Sequence, residues 1–147
     1  MFPVKFENVS RYYGDKPAVK AATFSIEDNI VTAIIGKSGS GKSTLLQMIN
    51  GLVHPSSGKI FLFGEALDYN NIIETRLKIG YSVQGTGLFP HMTVEENIAL
   101  LARVNGKSGS ETSDRIDELM GFVNLGPEFK EKFPYQLSGG EQQRVGI

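Results

Sequence analysis

The sequence predicts an α/β fold that combines an antiparallel sheet, a glycine-rich loop leading into a helix, and a helical second half. Residues 4–10 and 22–26 alternate between apolar and polar side chains, which is the period of strands with one solvated face. Residues 30–35 are apolar almost throughout, as in a short parallel strand buried on both faces, and a glycine-rich loop follows them. After residue 85 the apolar spacing becomes that of amphipathic helices.

Further elements are predicted around these. Residues 60–62 and 79–83 have the composition of strands, and residues 43–49 that of a helix. In the second half, Thr93 precedes Glu96 by three residues, a capping box that predicts a helix start. A second helix carries apolar residues at the spacing of one buried face, namely Ile116, Leu119, Met120 and Val123.

The composition excludes several classes of protein. The chain has 147 residues, 15 Lys and Arg against 16 Asp and Glu, a net charge of -1, and no Cys. Without cysteine there is no disulfide framework and no thiolate zinc site, and neither His54 nor His91 has metal-ligand partners nearby in sequence. Balanced, scattered charge gives no footprint for nucleic acid. Apolar runs are far shorter than the ~20 residues that cross a bilayer, and the N-terminus is unlike a signal peptide, so we expect a cytoplasmic protein.

Residues 36–43 match the P-loop pattern G-x-x-x-x-G-K-[ST], between a predicted strand and a predicted helix. Glycines let backbone N–H groups turn inward onto a polyphosphate, and the helix start adds unpaired N–H groups. In this pattern Lys42 reaches the β- and γ-phosphates of ATP, and the Ser43 hydroxyl is a ligand for Mg²⁺. The alternative, a plain Gly-Ser turn, is disfavoured by the flanking strand and helix. The residues predicted to bind nucleotide here are Gly36, Lys37, Ser38, Gly39, Ser40, Gly41, Lys42, Ser43 and Thr44.

A second potential anion site begins at Ser138. Ser138 and Glu141 have the spacing of a capping box, so Ser138 is predicted to be the N-cap of a helix that opens with Gly139 and Gly140. Glycine inside a helix costs ~1 kcal/mol relative to alanine, so two glycines in the first turn indicate that something approaches the backbone there. The alternative is a helix start that merely contains glycine.

Residues 137–142, Leu-Ser-Gly-Gly-Glu-Gln, resemble the signature motif of ATP-binding cassette (ABC) ATPases, and a P-loop followed by this motif is specific to them. The resemblance covers residues 4–147. It implies a P-loop NTPase fold of ABC type with an antiparallel β-subdomain and a helical subdomain, without the C-terminal part of the core. We expect residues 1–85 to form the nucleotide-binding core with the β-subdomain and P-loop. Residues 86–147 would form the helical subdomain, ending in the signature helix, which is cut short.

The resemblance assigns roles to two further residues. Tyr13, just before Gly14, resembles the aromatic residue that stacks on adenine; the alternative is a tyrosine at a strand end that packs on the sheet. Gln84 resembles the Q-loop glutamine that contacts Mg²⁺ and the attacking water; otherwise it is an ordinary solvated side chain. Lys42 and Gln84 are thus the predicted catalytic residues, and Ser43 and Gln84 the predicted Mg²⁺ ligands.

The resemblance also implies partners. In that family two such domains face each other head to tail, so Ser138, Gly139 and Gly140 would bind the ATP held by a second ATPase subunit. Residues 80–84 and 87–93 are most similar to importers of glycine betaine, choline and proline betaine. This similarity implies an integral membrane permease as partner, a solute-binding protein as an indirect one, and a peripheral location on the inner face of the cell membrane.

Hydrolysis in such ATPases needs an Asp-Glu pair after an apolar strand and a switch histidine, which in the family follow the signature helix, beyond the position of Ile147. We therefore expect this chain alone to bind nucleotide weakly and not to hydrolyse it. Two alternatives remain open. One is a non-transporter ABC ATPase of the DNA-repair or chromosome-organising type, which is disfavoured because residues 85–137 contain neither heptads nor Cys. The other is a truncated nucleotide-binding module that never hydrolyses ATP.

Overall fold

The computed structural model describes residues 2–107 and 109–147, which divide into two compact units, one ending at Tyr81 and one from Ser82 to Ile147. The domain boundary after residue 85 stays a prediction. Among the described helices, none combines the length and the apolar character needed to cross a bilayer. The strands and helices in chain order are β1 (Val4–Tyr13), β2 (Lys16–Ile26), α1 (Lys42–Ile49), β3 (Ser57–Leu62), β4 (Glu65–Ala66), α2 (Ile72–Leu77), α3 (Val94–Val104), α4 (Ser110–Phe122) and α5 (Gly139–Val145), with single 3₁₀ turns at Pro127–Phe129 and Pro134–Gln136.

The first unit is built on a four-stranded antiparallel sheet with the strand order β2-β1-β3-β4. The alternation predicted for β1 is confirmed, because Phe6 is fully buried while Lys5 and Glu7 form an ion pair of 2.6 Å on the solvated face. Phe6 also stacks on its β2 partner Phe24, with ring centroids 4.6 Å apart. Helix α1 covers the buried face of the sheet, and the core consists of Phe6, Val9, Met48 and Ile60.

Two strand predictions are wrong for this structure. Residues 30–35 and 79–83 form neither helix nor strand, and Val31 is 99% exposed. A parallel strand forms only where neighbouring strands satisfy its backbone N–H and C=O groups, and no described strand pairs with either segment. Their apolar composition predicts burial but does not supply the hydrogen-bond partners.

The second unit packs α3, α4 and α5 around a core of their apolar faces. The predicted start of α3 is confirmed, because the Thr93 hydroxyl accepts from the Glu96 N–H at 3.2 Å and the Glu96 carboxylate accepts from the Thr93 N–H at 2.9 Å. In α4 the predicted buried face is narrower than expected, since Leu119 is exposed at its edge. The core residues are Val94, Ala99, Ile116, Met120, Leu125 and Leu137.

Burial rather than side-chain size decides how much each residue of α4 contributes to stability. Met120 is 2% exposed and Phe122 is 70% exposed. We predict that Met120→Ala lowers the free energy of unfolding by about 2–4 kcal/mol, because it leaves a cavity in the core. The control Phe122→Ala removes a larger side chain and costs less than ~0.5 kcal/mol. Urea unfolding followed by circular dichroism measures both, and an equal loss would contradict the described core.

Candidate phosphate-binding site

The loop at residues 36–41 is open to solvent and turns sharply on glycines. Gly39 and Gly41 have φ angles of +77° and +89°, a region that L-residues avoid because of their Cβ atom. A hydrogen bond of 3.2 Å from the Ser40 N–H to the Lys37 carbonyl closes the turn that contains Gly39. Gly41, the second glycine of the P-loop pattern, is thus needed for the backbone path itself.

Helix α1 begins at Lys42 with unpaired backbone donors. Its N-cap is Gly41, which has no side chain to cap the helix, and the first intrahelical bond runs from the Leu45 N–H to the Gly41 carbonyl at 2.9 Å. The N–H groups of Lys42, Ser43 and Thr44 therefore have no backbone acceptor within the described part of the chain. Unpaired amides at the positive end of a helix dipole form an anion-binding site.

The side chain of Lys42 folds back over the beginning of the loop. Its ammonium group donates to the carbonyls of Gly36 and Lys37, each at 2.8 Å. An ammonium group has three N–H donors, so one remains for a ligand. The loop therefore brings a fixed positive charge next to the amides of α1.

A bulge in β2 supports the loop from behind. Pro17 pairs with Tyr12 and Val19 pairs with Arg11, so Ala18 is an extra residue opposite β1. A Cβ atom at Gly41 would overlap the carbonyl oxygen of Ala18. The hairpin backbone therefore lies directly against the loop, and only glycine fits at position 41. Sequence reasoning missed Ala18, since nothing in the local residue pattern marks the bulge.

Tyr13, the predicted adenine-stacking residue, is the last residue of β1 and lies on the same hairpin as Ala18. Tyr13 is 51% exposed. The Arg11 guanidinium lies 4.6 Å from the ring centroid of Tyr13. Arg11 was also missed, although it occupies the same strand face two residues earlier.

The predicted helix start at Ser138 is confirmed. The Ser138 N–H donates to the Glu141 carboxylate at 2.6 Å, and the Ser138 hydroxyl accepts from the Glu141 N–H at 3.4 Å. Hydrogen bonds from the Ser138 side chain and, second, from its backbone N–H hold the pKa of the Glu141 carboxyl below its usual value. A Cβ at Gly139 would meet nothing within 4 Å, and one at Gly140 only the tip of Arg144 at 3.8 Å. Packing within the described chain thus gives no reason for either glycine.

The predicted site residues are divided between the two units. Tyr13 and residues 36–44 belong to the first unit, whereas Gln84 and residues 138–140 belong to the second. Gln84 is exposed in a segment without helix or strand, followed by Gly85 with a φ of +98°. The structure therefore assembles the loop residues into one site and places Gln84 and the signature residues on the other unit.

A glycine loop, an uncapped helix start and a lysine folded back over the loop are the structural features of a P-loop domain. The family model described as "ABC transporter" matches residues 19–147, and the chain belongs to this family. The expected fold of ABC type, with an antiparallel sheet and a helical part, is confirmed by this match and by the solved structure described next.

The relatives have longer chains than this one. The glycine betaine/carnitine/choline transport ATP-binding protein OpuCA of Bacillus subtilis (strain 168) is 43% identical over 145 residues, which are 98% of this chain and 38% of that protein. The glycine betaine uptake system ATP-binding protein YehX of Escherichia coli (strain K12) is 42% identical over 144 residues, 98% of this chain and 47% of that protein. The dimeric post-hydrolysis state of the ATP-binding cassette MJ0796 bound to ADP and Pi matches with a TM-score of 0.85 and 34% identity, covering 97% of this chain and 66% of that chain. This chain therefore spans less than half the length of the two relatives.

Because the loop contacts the hairpin at only one of its two positive-φ glycines, we expect alanine substitutions at these two positions to lower the free energy of unfolding by different amounts. Both Gly39 and Gly41 have positive φ, but a Cβ at Gly39 meets open space whereas one at Gly41 overlaps the Ala18 carbonyl. We predict that Gly39→Ala lowers the free energy of unfolding by about 1–2 kcal/mol, the cost of the left-handed conformation alone. Gly41→Ala should cost clearly more, because the loop must also move away from β2. Urea unfolding of the two variants checks this, and equal losses would refute the contact.

Proposed function

We propose that this chain is the nucleotide-binding part of the ATP-binding subunit of an ABC importer, and that residues 36–44 bind the phosphates of ATP. The observation that carries the proposal is the uncapped start of α1 beside the Lys42 ammonium. Phosphate oxygens would accept from the amides of Lys42, Ser43 and Thr44 and from the third donor of Lys42. The fit is one of charge and of donor number, since a polyphosphate is anionic and carries only acceptors.

Mg²⁺ fits the same site through the Ser43 hydroxyl, which is exposed at the first turn of α1. Mg²⁺ in nucleotide sites is held by one or two protein oxygens together with phosphates and waters. When bound, the ion neutralises charge on the β- and γ-phosphates. Gln84 is proposed as a second ligand and as the residue that orients the attacking water, on the strength of the family resemblance alone.

We further propose that Tyr13 stacks on the adenine ring. The ring is half exposed at the end of β1, and its hairpin partner β2 supports the phosphate loop through Ala18. Stacking of a base on an aromatic side chain contributes ~1–3 kcal/mol. The hairpin would thus contact the base directly through Tyr13 and support the phosphate-binding loop through Ala18.

A head-to-tail dimer is the proposed active assembly. The side-chain-free surface at Gly139 and Gly140 has no purpose within the described chain, and the matched MJ0796 cassette is dimeric. The Ser138 hydroxyl lies at the start of α5 next to these glycines, where it accepts from the Glu141 N–H at 3.4 Å. Residues 138–140 would therefore contact ATP held by a second subunit.

The transported substrate is proposed to be a quaternary ammonium osmoprotectant. This follows from the names of OpuCA and YehX, which concern glycine betaine, carnitine and choline transport. The partners would then be a membrane permease and, through it, a solute-binding protein. The subunit would be located at the inner face of the cell membrane.

Loss of the Lys42 ammonium tests the phosphate site. We predict that Lys42→Ala weakens ATP binding about tenfold or more, because a charge-assisted hydrogen bond contributes ~1.5–3 kcal/mol. Lys59→Ala, which removes an exposed lysine on β3, is the matched control and should leave the Kd unchanged. Isothermal titration of both variants with Mg-ATP measures the effect, and unchanged affinity in Lys42→Ala would overturn the proposal.

Hydrolysis of ATP is not expected of these 147 residues. None of the 16 Asp and Glu residues follows an apolar strand in the way that a P-loop ATPase needs. We predict that the 147-residue chain releases phosphate from Mg-ATP only at the rate of a protein-free control. Phosphate release above that rate, abolished by Lys42→Ala, would contradict this expectation.

A further inference from the structure

Arg11 and Tyr13 form a stacked pair at the end of β1. They are two residues apart on one strand, so both side chains lie on the same face of the sheet. The guanidinium carbon of Arg11 lies 4.6 Å from the ring centroid of Tyr13, within the range of a cation–π contact. One face of the tyrosine ring is therefore covered from within the chain, while the side chain as a whole stays 51% exposed.

Arg11 is held in place independently of Tyr13. Its Nη1 donates to the His54 carbonyl at 3.0 Å, and its Nε is buried without a hydrogen-bond partner among the described residues. The strand around it is fastened to the same loop, because the Tyr12 N–H donates to the Ser56 hydroxyl at 3.1 Å. The guanidinium is thus held by a hydrogen bond from Nη1 while its central carbon lies over the Tyr13 ring.

We propose that Arg11 is a positioning residue for nucleotide binding: it covers and orients one face of the Tyr13 ring so that the opposite face is presented to the base. An exposed tyrosine loses rotamer freedom when a base stacks on it, and a ring already held against a fixed cation loses less. The inference rests on the proposed stacking of Tyr13 on adenine. It assigns to Arg11 an effect on the base and none on the phosphates.

A purely structural role for Arg11 makes a different prediction. If Arg11 only ties β1 to the loop around His54, its removal would disturb the sheet next to the P-loop and weaken every anionic ligand alike. The two roles separate when ATP is compared with inorganic tripolyphosphate, which carries the phosphates without a base.

The experiment measures the Kd of ATP and of tripolyphosphate by isothermal titration for the full 147-residue chain and its variants. We expect Arg11→Met, which keeps an unbranched apolar stem but removes the guanidinium, to raise the Kd of ATP about two- to fivefold and to leave that of tripolyphosphate unchanged. For Arg11→Lys, the Kd of ATP should lie between those of the unaltered chain and of Arg11→Met. In a Tyr13→Ala background, Arg11→Met should have no further effect on ATP. Arg103→Met removes an exposed arginine from α3 and is the matched control, with both affinities unchanged.

Three results would overturn the inference. They are an unchanged Kd for ATP in Arg11→Met, an equal loss of affinity for ATP and tripolyphosphate, and a full effect of Arg11→Met that persists without Tyr13. If the unaltered chain binds neither ATP nor tripolyphosphate, the proposed function fails as well, which distinguishes that failure from the failure of the Arg11 assignment alone.

Discussion

The close approach of the Gly41 backbone to the Ala18 carbonyl is the constraint on which the phosphate site depends. It requires a residue without a Cβ at position 41 of the loop, and it involves the bulged residue of β2, Ala18. The bulge is seen as a shift of the hairpin register between Arg11 and Tyr12. The sheet therefore does more than bury apolar surface, since it fixes where the loop ends and where α1 begins.

The helix starts of this chain differ in a way that matches their proposed roles. Helix α3 satisfies its first amides internally through Thr93 and Glu96, as expected of a helix that only packs in a core. Helix α1 begins at Gly41 without any side-chain cap and leaves its first amides unpaired beside a lysine. Helix α5 has a capping box at Ser138 but opens with glycines at which an added Cβ would meet no side chain closer than Arg144, at 3.8 Å. Stability thus explains the first start, whereas the proposed ligand and the proposed partner would account for the second and third.

Sequence reasoning succeeded where the cause is local and failed where it is distant. The alternation of β1 and β2, the capping boxes at Thr93 and Ser138, and the P-loop pattern depend on spacings of two to seven residues, and the structure contains all of them. The predicted strands at 30–35 and 79–83 depend on partner strands far along the chain, which composition cannot reveal. The bulge at Ala18 and the contact between Arg11 and Tyr13 follow from strand register and tertiary packing, so no local sequence pattern predicts them.

The most direct test of the account is to follow the backbone amides of the ¹⁵N-labelled chain by nuclear magnetic resonance while Mg-ATP is added. If the unpaired amides at the start of α1 bind the phosphates, the largest chemical-shift changes will occur at the amides of Gly41, Lys42, Ser43 and Thr44. Smaller changes should reach Ala18, which lies against the loop. Saturating Mg-ATP that leaves these amides unmoved, or that shifts only residues elsewhere, would contradict the central claim.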